Sequence, residues 1–288
     1  MDDTAPSDSP ITVDRRPPGE VFALLGNDLR VDVLRALAEA GQEPRTFSAL
    51  RERVGERDSG KFNYHLGKLV GPFVRREADG YALTLAGQQV VGALLAGTYT
   101  AEGRLETLDV HDPCPVCEAT PLAVSYEDDH VTIECPACEE WYNYFSFPPG
   151  TLDQYDPDEL PEAFDRWMYT LFGRITAGFC ASCAGRVTGR LEPEHDRPSI
   201  AWACDRCGDV ARVSASVPLL YHPATLGFLY DHGVDTTRTP SWRLLPERDV
   251  AYDVDADGVT VTLTLDGESL TGHVDERGRV AGVERADR

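Results

Sequence analysis

Lysine is almost missing from this chain of 288 residues: Lys61 and Lys68 are the only two, and arginine supplies the remaining positive charge. No apolar run reaches the roughly 18 residues that a membrane-spanning helix needs. The acidic, Pro- and Ser-rich start of the chain also lacks the basic and apolar segments of a secretion signal. These absences argue against a membrane protein and a secreted protein, and we expect a soluble chain located in the cytoplasm.

Negative charge dominates, with 49 Asp and Glu against 27 Lys and Arg and a formal net charge of -22. Residues 20–100 are balanced, with 10 residues of each sign, whereas residues 101–288 carry 35 acidic and 15 basic residues. This composition is typical of a halophilic protein, which its acidic surface keeps soluble in concentrated salt. Only the first part is expected to tolerate a polyanion. At molar salt the Debye length is about 3 Å, so the acidic remainder would not repel DNA held farther away.

No cysteine lies outside a C-x-x-C motif. The four pairs are Cys114/Cys117, Cys135/Cys138, Cys180/Cys183 and Cys204/Cys207. A two-residue spacer lets a tight turn present two thiolates, and loops of 17 and 20 residues between successive pairs are typical of zinc ribbons. The alternatives are structural disulfides, which a reducing cytoplasm disfavours, and redox dithiols, which would need one motif in a βαβ context. We predict two structural zinc ions per chain, each with a complete ligand set and no open position for catalysis.

Both lysines fall in Ser59–Val70, which has the pattern of an amphipathic helix. Its apolar side carries Phe62, Leu66, Leu69 and Val70, and the opposite side carries Lys61, Tyr64 and Lys68, with His65 on the flank. A solvated amphipathic helix is a sufficient explanation of this segment alone. A shorter predicted helix, Phe47–Val54, and a turn at Gly55 precede it, however, which is the order of a helix-turn-helix whose second helix enters a DNA major groove.

The segments on either side of this pair complete a small domain. Residues 1–17 are expected to be disordered, and the predicted elements are helices at Glu20–Leu25, from Asn27 or Asp28 to near Gly41, and at Leu85–Leu95, with strands at Phe73–Glu77 and Tyr81–Thr84. Asp79-Gly80 favours a hairpin turn between the two strands, which then form a wing. Arg75 and Arg76 lie in its first strand, where they either contact phosphates or serve as plain surface residues.

The stretch from Leu24 to Leu34, the helix Phe47–Val54, the Tyr64-His65-Leu66 segment and the Asp79-Gly80 wing together resemble the ArsR-type winged-helix transcriptional regulators. In particular, the chain is similar to haloarchaeal representatives in which such a domain precedes zinc-ribbon modules. The resemblance covers residues 20–97 closely and implies double-stranded DNA as a partner and a homodimer formed through the first and last helices of the domain. The helix segments that carry metal ligands in metal-sensing members read FSALRERV and AGQQVVGALL here, which departs from the metal-sensing pattern.

The second half reads as a duplicated unit of a ribbon followed by a helix. Ser146-Phe147-Pro148 follows the first ribbon as Ser216-Val217-Pro218 follows the second, and helices are predicted at 158–175 and 223–232. The aromatic residues of this region either line a ligand pocket or, as is more usual, pack a helix onto a ribbon; they are Trp141, Tyr142, Tyr144, Phe145, Phe147, Phe164, Trp167, Tyr169 and Phe172. From residue 248 onward strict alternation predicts an antiparallel meander that covers the second ribbon.

The predicted fold class is α+β and multidomain. Its parts are a disordered N-terminus (1–17), a winged helix-turn-helix domain (18–100), a first zinc ribbon with a helix (113–178), a second zinc ribbon with a helix (179–240) and a C-terminal β-meander (247–288). These features favour a sequence-specific DNA-binding transcriptional regulator whose zinc-ribbon half serves dimerisation, sensing or protein contacts. The alternative is an adaptor that contacts polymerase or other transcription factors. No phosphate-binding glycine loop or nucleophile motif points to an enzyme.

Overall fold

The computed structural model describes residues 11–41, 43–138, 141–193, 197–246 and 249–286. The chain divides into two compact units, residues 1–100 (unit 1) and 101–288 (unit 2). Residues 1–10 of the predicted disordered segment lie outside the described residues, and residues 11–17 contain neither helix nor strand. None of the described helices combines the length and the apolar character needed to cross a membrane.

Unit 1 contains five helices and a two-stranded antiparallel sheet among its described residues. They are α1 (Pro18–Phe22), α2 (Asp28–Ala38), α3 (Phe47–Val54), α4 (Ser59–Leu69), β1 (Val74–Glu77), β2 (Gly80–Leu83) and α5 (Leu85–Leu95). The core lies between α2, α3, α4 and the hairpin, and its members are residues such as Leu34, Leu37, Leu50 and Phe62.

Side-chain caps set the ends of these helices. The Oγ1 of Thr46 accepts the N–H of Ala49 at the start of α3, and Gly55 ends that helix in the left-handed conformation at φ 76°. Asn27, rather than Asp28, caps α2. The first predicted helix, Glu20–Leu25, was misplaced: α1 begins at Pro18, because proline fits the first turn of a helix, and residues 23–25 form turns instead.

The first ribbon is a four-stranded antiparallel sheet in the order β3-β4-β5-β6. Its strands are β3 (Leu105–Val110), β4 (Leu122–Glu127), β5 (His130–Glu134) and β6 (Tyr142–Ser146). Strand β3 was not predicted, and it lies before residue 113, where the predicted first ribbon begins. A 3-10 helix, Pro149–Gln154, and α6 (Leu160–Thr176) follow the sheet.

The second ribbon repeats this order with three strands, and the C-terminal meander packs on it. The elements are β7 (Val187–Glu192), β8 (Ser199–Cys204), β9 (Gly208–Ser214), a 3-10 helix (Val217–Tyr221), α7 (Pro223–Asp231), α8 (Ser241–Leu244) and the meander strands β10 (Val250–Val254), β11 (Gly258–Leu265), β12 (Glu268–Asp275) and β13 (Val280–Ala286). Val259, Val261 and Leu263 of β11 are buried in one cluster with Ile200 and Trp202 of the second ribbon. The predicted cover of the second ribbon by the meander is therefore confirmed.

Helix α6 joins the cores of the two ribbons. Leu160, Phe164 and Met168 in its first part belong to the buried cluster of the first ribbon, and Ile175 at its end belongs to that of the second. Phe172 packs against both clusters. The two ribbons of unit 2 therefore share one structural helix.

Candidate metal centres and the exposed face of helix α4

The eight cysteines form two groups of four. In each group, Cys114/Cys117/Cys135/Cys138 and Cys180/Cys183/Cys204/Cys207, all four sulfur atoms lie within 4.8 Å of one another. The nearest sulfur pairs of the second group are 3.4 to 3.6 Å apart, and those of the first group 3.6 and 3.8 Å. Four thiolates at about 2.3 Å from a tetrahedral ion stand about 3.8 Å apart. The geometry therefore fits a four-coordinate thiolate metal site, and all eight cysteines are free rather than joined in disulfides.

The first knuckles of the two ribbons have the same backbone design. The N–H of Glu118 donates to the carbonyl of Cys114, and the N–H of Ala184 donates to that of Cys180, both at 3.0 Å. Glu118 and Ala184 also both have positive φ, at 61° and 54°. The matching geometry at matching positions supports the predicted internal repeat.

Gly185 shows why a small residue follows the knuckle of the second site. A Cβ atom at this position would lie 2.8 Å from the Sγ of Cys204 and 3.1 Å from that of Cys183. The backbone N–H of Gly185 instead approaches the sulfur of Cys183 at 3.4 Å and can donate to it. Any residue with a backbone N–H could make this contact, but glycine makes it without the steric clash of a Cβ atom.

Burial and hydrogen bonding shift the pKa values of the thiols in these groups in opposite directions. Burial raises the pKa of Cys114 to about 12, whereas the backbone N–H of Cys183 lowers the pKa of Cys180 to about 6. Four ionised sulfurs in this volume would repel one another strongly without a cation. A divalent ion bound among the four sulfur atoms would stabilise the thiolate form of all four cysteines.

Helix α4 has the two faces that the sequence predicts, with one exception. Phe62, Leu66 and Leu69 are at most 1% exposed, whereas Tyr64 is 61% exposed and Lys68 is also exposed. Val70 was predicted on the apolar side but lies beyond the last turn, with an extended backbone, and is 37% exposed.

The polar residues of α4 differ in how freely they can meet a ligand. The Nζ of Lys68 lies 5.5 Å from the ring centroid of Tyr64, so the two side chains form one exposed cation-aromatic pair. Lys61 instead bonds to Glu56, with Nζ and Oε2 2.7 Å apart, and this contact raises the pKa of Lys61 and lowers that of Glu56. His65 is half-buried, and its Nδ1 has no hydrogen-bond partner among the described residues.

The hairpin β1-β2 follows α4 and carries both predicted arginines. Arg76 donates from Nη2 to the Tyr81 hydroxyl at 2.7 Å and stacks on that ring. Arg75 pairs with Glu77 at 2.6 Å and also donates to the carbonyl of Leu83.

Two further residues that make contacts in this region, Glu56 and Arg45, were not among the predicted site residues. The backbone of Arg45 exchanges two hydrogen bonds of 2.9 Å with Tyr81, which adds a third short segment to the hairpin. Gly80 is required at this junction, because a Cβ atom there would lie 2.3 Å from the carbonyl oxygen of Arg45. The Glu56 carboxylate five residues before Lys61 was visible in the sequence, but only the structure shows that the two residues pair.

Comparison with protein families gave two matches. The family described as Domain of unknown function (DUF7351) matches residues 111–280, and the one described as Domain of unknown function (DUF7347) matches residues 18–94. The chain matches no curated protein and no solved structure.

Proposed function

Because the chain belongs to the DUF7351 family, whose description assigns no activity, we propose a function from its own residues: a sequence-specific, DNA-binding transcriptional regulator. Unit 1 reads DNA as a winged helix-turn-helix domain of the ArsR type. Unit 2 holds two structural zinc ions and provides the surfaces for sensing or protein contacts. The observation that carries the proposal is the exposed Tyr64–Lys68 pair on α4, opposite a fully buried apolar face.

The order of elements in unit 1 supports this proposal. Helix α3 ends at Gly55 and α4 begins at Ser59, capped by Asp58, so a turn of a few residues separates the two helices. A turn of that length is typical of a helix-turn-helix. The β1-β2 hairpin follows as a wing, with Arg45 from before α3 paired to it, and α5 closes the unit.

The charge of helix α4 also supports the proposal that its exposed face contacts DNA. Helix α4 contains two lysines and no acidic residue, in a chain where acidic residues far outnumber basic ones. A recognition helix that approaches phosphates needs such a face, because each neutralised phosphate adds affinity through counterion release. Lys68 and Tyr64 are the first contacts that we propose on the helix, and Arg76, with Arg75, the contacts on the wing. Lys61 joins them by exchanging Glu56 for a phosphate.

Zinc is the metal that we propose for both four-cysteine groups. Four thiolates in tetrahedral array favour zinc over the oxygen-preferring divalent ions, and complete ligand sets are typical of structural sites. In this role Cys114, Cys117, Cys135 and Cys138 hold one ion, and the other four cysteines hold the second.

DNA binding by zinc-loaded full-length protein tests the proposal. Duplexes enriched by the protein from fragmented genomic DNA of its host are labelled, and fluorescence anisotropy is measured against an unrelated duplex. The variant Tyr64→Ala/Lys68→Glu should lose at least about tenfold in specific affinity, since each lost base or phosphate contact costs roughly 1–3 kcal/mol and the reversed charge adds repulsion. Arg35→Glu is the matched control, because it makes the same charge change at an exposed position of α2.

The expected result is lost binding in the α4 variant with unchanged zinc content and melting temperature, and normal binding in the α2 control. Equal losses in both variants would reduce the effect to net charge and count against a reading helix. Absence of any enriched sequence would move the polymerase-contacting adaptor ahead of the regulator.

A further inference from the structure

A cavity of about 570 Å³ lies between the two ribbons of unit 2. Strands β6 and β9 border it, and each is the edge strand of its sheet, while α6 forms another wall. A cavity of this volume has the size of a small-molecule site.

Aromatic and apolar side chains make up much of the lining. They include Trp141, Phe145, Tyr169, Phe172, Tyr221 and Trp242. Tyr169 and Tyr221 stack with ring centroids 4.7 Å apart, and the hydroxyl of Tyr221 donates to the carbonyl of Tyr169 at 2.8 Å. Several of these aromatic residues therefore border open space in addition to packing a helix onto a ribbon.

A cluster of hydroxyl groups lies on the wall built by β9 and β10. Ser214 Oγ is 2.8 Å from the Tyr252 hydroxyl and 2.9 Å from Ser216 Oγ, and Tyr252 is 3.3 Å from Ser216. Each hydroxyl has more than one bonding position, so the cluster can reorient to donate to a ligand acceptor.

The charge of the lining is opposite to that of the chain. Arg197 and Arg212 line the cavity, and no Asp or Glu does so among the described residues, although 49 of the 288 residues are acidic. Arg212 forms an ion pair with Glu192, but Arg190 pairs with the same carboxylate. Among the described residues, one carboxylate is thus shared by two guanidinium groups, and its single negative charge offsets only one of theirs.

From these observations we infer that the cavity binds a small aromatic or other flat apolar molecule that carries one anionic group. The rings hold the apolar body, the hydroxyl cluster donates to its polar atoms, and Arg212 pairs with its anion. That such a ligand is the effector of a transcriptional regulator rests on the proposed function, but its binding does not, and it is measured without DNA.

Two fluorescent probes of similar shape test the inference. Anilinonaphthalene sulfonate is an aromatic anion, and N-phenylnaphthylamine is its neutral counterpart. Energy transfer from tryptophan reports proximity, since Trp141 and Trp242 line the cavity. Zinc-loaded full-length protein should bind the anion saturably at one site per chain. Arg212→Ala should weaken the anion roughly tenfold, by loss of a charge-assisted contact, and leave the neutral probe unchanged.

Cavity-filling variants separate this site from general surface binding. Asn143→Trp, on β6, should abolish binding of both probes, and Val217→Trp fills the same cavity from the 3-10 helix if the first variant does not fold. Thr188→Trp adds the same side chain on an exposed position of β7 and should bind like the parent. Equal binding by the filled and control variants, or no saturable binding by the parent, would overturn the site. An Arg212→Ala effect of the same size on both probes would overturn the anionic group.

Discussion

Loss of either metal ion should unfold both ribbons, and Cys135→Ser and Cys204→Ser are the variants that test this expectation. Each replaces a buried ligand of one site, so that its group keeps three thiolates. From the sequence alone, each variant would be expected to unfold only its own ribbon. The structure changes this expectation, because α6 contributes core residues to both ribbons and Phe172 contacts both clusters.

The expected magnitude follows from comparing two energies. A structural zinc ion contributes roughly 10–16 kcal/mol of binding free energy in small zinc peptides at neutral pH. A typical domain has a free energy of unfolding of about 5–15 kcal/mol in total. Removing one ion therefore takes away as much free energy as the whole unit is expected to have, and the helix that both ribbons share cannot stay ordered by packing on one side only.

Tryptophan fluorescence provides the assay, because Trp141, Trp167, Trp202 and Trp242 all lie in unit 2 and unit 1 contains none. Both variants should lose the native emission of unit 2 at room temperature, while far-ultraviolet circular dichroism keeps the helical signal of unit 1. Metal analysis should give two zinc ions for the parent and for Ser182→Ala, a non-ligand change between Cys180 and Cys183 of the second site. A Cys204→Ser protein that keeps one ion and a folded first ribbon would refute the shared-helix argument.

Three further predictions concern charge and hydrogen bonding. The melting temperature should rise from low to molar KCl. Residues 101–288 carry 35 acidic residues against 15 basic ones, and the excess negative charges repel one another until salt screens them. A melting temperature that does not change with KCl in a thermal scan would contradict the predicted halophilic character. Arg76→Ala should weaken binding to all DNA sequences alike and lower the slope of log affinity against log salt by about one, as measured by anisotropy in a KCl series. Asp112→Ala should lower the free energy of unfolding of unit 2 by about 2–3 kcal/mol, because it leaves the buried indole N–H of Trp242, now 2.7 Å from the carboxylate, without an acceptor. Arg243→Ala is its control in denaturant titrations and should cost less, since that side chain is 48% exposed and its loss leaves the indole N–H of Trp242 bonded to Asp112.

Local signals in the sequence located most helices and strands. The helices Phe47–Val54 and Leu85–Leu95 have the predicted bounds, since Thr46 and Thr84 cap them and Gly55 ends the first. The predicted cysteine groups are also confirmed as two clusters of four cysteines, because ligand spacing within a knuckle is a local property. The assignment of unit 1 to a DNA-reading winged helix stays a prediction.

Contacts between segments that are far apart in the sequence could be seen only in the folded structure. Asp112 and Trp242 are separated by 130 positions, and nothing near either residue in the sequence indicates their hydrogen bond. Strand β3 was missed because two consecutive residues, Glu106 and Thr107, are both exposed and interrupt the alternation of exposed and buried positions. Its pairing with β4 holds the strand in the sheet. The pair of Lys61 with Glu56 likewise depends on the angle at which α4 leaves the turn.

Most helices and the four knuckles could be located from the amino-acid sequence, because propensity, capping and ligand spacing act over a few residues. That α6 contributes to the cores of both ribbons, and that a cavity lies between β6 and β9, could be seen only in the folded chain. Both features depend on which apolar surfaces pack together. Burial of apolar surface is favourable wherever two shapes match, irrespective of the distance between them along the chain.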